Sequence, residues 1–124
     1  MHILRGADAP TFDIPGVRFT ALASPSLGAS GTCVWTLTVE TGLSSDTFHT
    51  LDHDEVFVVL EGQIRLGPDG PDLASGDAAV VAAGEPIQLI NSGDVPARVQ
   101  VAIRAGFTAT MADGTPVGTP PWAA

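Results

Sequence analysis

The chain contains no lysine, and five arginines stand against fourteen Asp and Glu residues, for a formal net charge of -9. A surface so short of positive charge repels phosphate backbones and anionic lipid, which excludes nucleic acid and a membrane surface as partners. Cysteine is nearly absent too. The lone Cys33 cannot form an internal bridge, so there is no disulfide framework and nothing marks an oxidising compartment. It reads as a small buried apolar residue. No apolar run approaches the roughly 18 residues that span a bilayer, and Met1 to Asp8 lacks the long apolar stretch of a signal peptide. A soluble, cytoplasmic protein is expected. The acids are scattered through turns rather than gathered in a tail, the pattern of a solubilising surface.

What the chain has in abundance is turn punctuation. Its 14 Gly and 10 Pro fall between short runs rich in Val, Ile, Leu, Phe and Thr, the pattern of an all-β sandwich or barrel. With 124 residues, no linker and no internal repeat, residues 1–124 are expected to form one domain with one core. The punctuation predicts strands over Val17 to Ala23, Thr32 to Glu40, Glu55 to Leu60, Gln63 to Leu66, Ala78 to Ala82, Ile87 to Asn91 and Ala97 to Arg104. Weaker ones are predicted at Phe12 to Ile14 and Phe107 to Met111. Apolar Cys33, Trp35, Leu37 and Val39 alternate with polar Thr36, Thr38 and Glu40, and Val99, Val101 and Ile103 alternate with Gln100 and Arg104. A period of two puts the apolar set on the buried face. Gly62 is expected to close a tight hairpin, and Pro68-Asp69-Gly70-Pro71 and Asn91-Ser92-Gly93-Asp94 are strong turn strings.

Two further strings carry chemistry. One is His49-Thr50-Leu51-Asp52-His53-Asp54-Glu55, with Gly42 before it and Gly62 after it; the other runs from Gly76 through Gly84 to Asn91. Over about 42–62 and 76–91 the chain resembles the cupin superfamily. Its first motif runs Gly, five residues, His-x-His, three or four residues, Glu, six residues, Gly, and its second ends in a Pro-x-Gly, a His and an Asn. The resemblance implies a double-stranded β-helix, or jelly-roll barrel, with a divalent metal held by three His and one Glu. In this chain His49, Glu55, Gly62, Gly76, Gly84 and Asn91 fall on the pattern. Leu51 and Ile87 stand where two of the histidines belong, Ala82 replaces the proline, and Gly42 lies one residue further from His49 than the motif prescribes. The turn residues are kept and half of the ligand set is gone.

Imidazole and carboxylate suit first-row divalent ions, and three or four protein ligands leave positions open for substrate. Two readings of the site therefore stand. In one, His49 and Glu55 hold Fe, Mn, Ni, Zn or Cu with His53 as a third ligand, and the protein is a dioxygenase or isomerase with a reduced ligand set. In the leading one there is no cofactor, and His49 and Glu55 are catalytic groups moving protons on a bound molecule, in an isomerisation, cyclisation or dehydration. A non-catalytic ligand sensor or accessory module is the third alternative. If the second motif keeps its register, Trp35, Leu51, Phe57, Ile87 and Leu89 line the interior, which implies a small hydrophobic or aromatic ligand. No basic residue is placed to take a phosphorylated sugar. The proline-rich tail over 113–124 cannot form helix or central strand, and its Trp122 is expected to anchor on its own barrel or on a partner. The resemblance also implies a homodimer.

Overall fold

Alternating apolar residues build the larger of two β layers. The computed structural model describes residues 1–124, with strands β1 (Thr11–Ile14), β2 (Val17–Ala23), β3 (Thr32–Val39), β4 (His49–Leu51), β5 (Glu55–Glu61), β6 (Gln63–Arg65), β7 (Leu73–Ala74), β8 (Ala78–Val81), β9 (Ile90–Asn91), β10 (Ala97–Arg104), β11 (Ala109–Met111) and β12 (Pro116–Val117). Six of them form one antiparallel sheet in the order β1-β2-β3-β10-β5-β8. The opposing layer comes in two pieces, β12-β11-β4 and β7-β6-β9. The segment Ile87–Asn91 joins them: Ile87 pairs with His49 and Ile90 with Ser44, while Ile90 and Asn91 pair with β6. The whole is an all-β jelly-roll barrel.

Between the layers lies one core. Cys33, Trp35, Leu37 and Val39 of β3 and Val99, Val101 and Ile103 of β10 are all buried, as the period of two predicts. Leu51, Ile64, Ile87 and Phe107 close it from the other side. Register sets the rows of the inner face. Trp35 pairs with Val101, which pairs with Phe57; one rung away Cys33 pairs with Ile103, which pairs with Glu55. A carboxylate therefore sits in an otherwise apolar row. Asn91, the last residue of the second motif, is buried with its amide fully used. Its Nδ2 donates to Val39 O at 3.2 Å and Val95 O at 3.0 Å, and its Oδ1 accepts from Gly93 N at 3.0 Å.

Three expectations need correction. Gly62 makes no hairpin, because β5 and β6 belong to different sheets; it bends the chain from one layer to the other. Its φ of +77° and the approach of Pro96 O and Ala97 Cα to within 2.9 Å of where a Cβ would stand explain the glycine. Ile87 to Asn91 is a regular strand only at Ile90–Asn91, since its bonds alternate between Leu66, Ser45, His49 and Leu43 across a gap in the layer. The tail does form helix, a single 3-10 turn over Pro121–Ala123 with proline at its first position, where no donor is lost. Its other ordered element, β12, lies at a sheet edge where proline is tolerated.

The acids do sit in turns, and many of them hold those turns. Asp54 accepts from Ala83 N, Asp77 from Ala74 N, Glu85 from Ala82 N and Asp113 from Thr115 N, all exposed. No helix is long and apolar enough to cross a membrane.

Candidate functional site

The two layers do not meet everywhere. They enclose a cavity of about 330 Å³ with a strongly apolar lining, at the lower end of the range for small-molecule sites. Trp35, Leu51, Phe57, Ile87 and Leu89 all lie on its wall, together with His49 and Glu55. The larger sheet supplies Trp35, Glu55 and Phe57. The smaller layer supplies His49 and Leu51 from β4, and Ile87 beside them. Cβ alternation along β4 sends residues 49 and 51 to the same face, so the leucine that replaces a histidine still points inward.

Glu55 opens β5 and is 4% exposed. Its Oε2 is buried with no hydrogen-bond partner, and desolvation pushes the carboxyl up to about 8. The side chain is thus a neutral acid at pH 7. His49, half-buried between its strand partners Met111 and Ile87, shifts the other way: burial lowers its pKa from the ordinary value near 6.5, so it is neutral at pH 7. An acid that carries its proton and an imidazole that lacks one thus face a single cavity, the arrangement of a general acid and a general base.

His53 is not brought to this pair. It lies in the exposed turn between β4 and β5 with Nδ1 2.8 Å from Asp52 Oδ1. Asp52 is itself fixed by the Thr108 N–H at 2.8 Å, which holds its carboxyl well below the usual range and keeps the turn outside the barrel. No group of three or more His, Cys, Asp or Glu side chains converges anywhere in the chain. Two donors do not fit a first-row divalent ion, which takes three or four from the protein. The residues present therefore do not make the ligand set that the cupin resemblance implies.

Several lining residues went unrecognised in the sequence. Phe19 and Val17 of β2, Val101 of β10 and Phe107 also face the cavity, and the same alternation that marked Trp35 could have found the strand residues. Trp122, expected to anchor on its own barrel or on a partner, docks on the barrel. It stacks on Phe19 with ring centroids 3.7 Å apart and closes one side of the cavity with Pro120. The tail is docked on its own barrel, with Cys33 Sγ donating to Ala123 O at 3.4 Å and Ser26 Oγ to Ala124 O at 2.6 Å.

Known proteins with this barrel are numerous. The polyketide cyclase RemF from Streptomyces resistomycificus superposes with a TM-score of 0.73 at 18% identity, over 84% of this chain and 79% of that one. An RmlC-like cupin from Ralstonia eutropha gives 0.76 at 12% identity, over 97% of this chain and 78% of that one. A cupin-superfamily sugar phosphate isomerase from Silicibacter pomeroyi gives 0.67 at 23% identity, over 89% and 81%. At these identities the likeness is one of fold. No curated protein sequence matches the chain. The family model described as "Cupin domain" matches residues 35–104, which holds both motifs and the rows that place Trp35, Glu55 and Phe57. With more than half of its length matched and the barrel in place, the chain belongs to the cupin domain family.

Proposed function

We propose that this cupin binds a small apolar or aromatic metabolite in its barrel and transforms it by proton transfer, in an isomerisation, cyclisation or dehydration, without a metal. The observation that carries the reading is Glu55: an unpartnered carboxyl inside an apolar cavity, neutral at pH 7. Such a group is costly to bury and useful as an acid. His49 supplies the complementary base. The lining supports an apolar ligand, and the cavity has no cationic side chain to balance a phosphate or carboxylate. Three of the five arginines are paired with acids on the outside, at Asp13, Asp72 and Glu61.

The test is solvent exchange. Ligand carried through purification is identified by native mass spectrometry and incubated with the protein in D₂O. Wild type is expected to place deuterium on the ligand, and H49A and E55A to stay folded and lose the exchange. Undiminished exchange in both variants contradicts the reading. We further propose a homodimer, supported by the open edges β1 and β8 and by exposed Val80 and Ile14 beside them. Light scattering is expected to give twice the chain mass.

A further inference from the structure

Glu55 is not the only orphan in the cavity wall. Trp35 is 3% exposed, and its indole Nε1 is buried with no acceptor. Its ring lies against Phe107, centroids 6.3 Å apart, and offers no polar contact there. A buried donor without an acceptor costs free energy, and native structures hold few of them. Nor do the two orphans satisfy each other: neither atom has a hydrogen-bond partner. Trp35 stands on β3 and Glu55 two strands away on β5, one rung along, a backbone separation of about 12 Å at ordinary strand spacing.

We propose that Trp35 is a ligand-binding donor whose indole N–H, covered by its neighbours in this structure, is uncovered by a shift of the ring as a ligand enters and takes a carbonyl oxygen on the same flat, uncharged molecule that reaches Glu55. This rests on the proposed apolar-ligand reading and sharpens it. An indole N–H only donates, so the ligand must present an acceptor. A carboxylate or phosphate is the wrong acceptor, because the cavity has no cation to balance it. Size sets the rest. At interior packing density 330 Å³ admits a molecule of up to about 250 Å³, room for two or three fused rings with their substituents. The substrate class is then a ring ketone or aryl ketone. Trp35 fixes its oxygen, and the carbon framework lies between Glu55 and His49.

The probes are 2-acetylnaphthalene and its hydrocarbon isostere 2-isopropylnaphthalene, titrated by calorimetry and by the two indole N–H cross-peaks in a ¹H–¹⁵N spectrum. Wild type is expected to bind the ketone about tenfold or more tighter. The ketone should move the Trp35 cross-peak downfield of its position with the hydrocarbon bound, as a new N–H···O bond does, and W35F identifies that peak by its loss. In W35F the two probes should bind alike. Equal affinities in wild type with an unmoved cross-peak overturn the role of Trp35 while leaving the apolar pocket standing. A ketone preference that survives W35F places the donor elsewhere and overturns it too. Binding of neither probe to wild type overturns both this inference and the ligand class beneath it. The wild-type comparison needs no variant, so it stands even if W35F does not fold.

Discussion

Of fourteen acids, Glu55 alone is buried, and its protonation makes the stability of the fold depend on pH. Its folded pKa lies near 8 and its unfolded one near about 4.3. Between those values the native state keeps a proton that the unfolded chain has released, so stability is full below the unfolded value and falls as pH rises through the folded one. His49 acts oppositely: its lowered pKa removes stability as pH falls below about 6.5. Glu55→Gln isolates the first effect, since the difference between wild type and variant cancels the histidine. Denaturant titrations from pH 5 to 8 are expected to show wild type losing up to about 1.4 kcal/mol per pH unit relative to E55Q; parallel curves contradict it. His49 and Glu55 were legible because the motif spacing names them. For His53 spacing left both an exposed turn and a third ligand open, because spacing alone cannot show that Asp52, held by Thr108, turns it outward. The orphan N–H of Trp35 was illegible for a different reason: alternation gives the face of a residue and not the partners of its atoms.

At the scale of elements, the turn at Gly62 ties β5 in one layer to β6 in the other. Gly62→Ala adds left-handed strain to a backbone clash at 2.9 Å and is expected to cost roughly 2 kcal/mol or more in chemical denaturation. Gly114→Ala is the control: its φ is +87° with nothing within 4 Å of the added Cβ, so only about 1 kcal/mol should be lost. The tail offers a second test. Trp122→Ala removes the stack on Phe19 and opens the cavity wall; a loss of roughly 2 kcal/mol is expected. The sequence located every strand of four residues or more, and the three-residue β6 and β11 with them. It missed β4, β7 and β12, which are two or three residues long and stand among turn residues with no alternation of their own. Gly62 was read as a hairpin because glycine signals a sharp turn without saying which strands pair across it.

For the molecule as a whole, the surface and the interior divide the chemistry between them. Outside, acids cap turns and pair with Arg18, Arg65 and Arg98; inside, an apolar cavity holds one acid and one imidazole. The barrel was legible from glycine spacing, because those glycines serve the fold whatever the site contains. Leu51 and Ile87, which stand where the resemblance places two histidines, both line the cavity. Elemental analysis of protein purified without chelators is expected to find well under one equivalent of Fe, Mn, Ni, Zn or Cu per chain; a stoichiometric ion would contradict the proton-transfer reading. That reading depends above all on the charge of one side chain. A ¹³C NMR titration of the Glu55 carboxyl in intact protein is predicted to give a single step with its midpoint near 8, and a midpoint in the ordinary glutamate range near about 4.3 would contradict it.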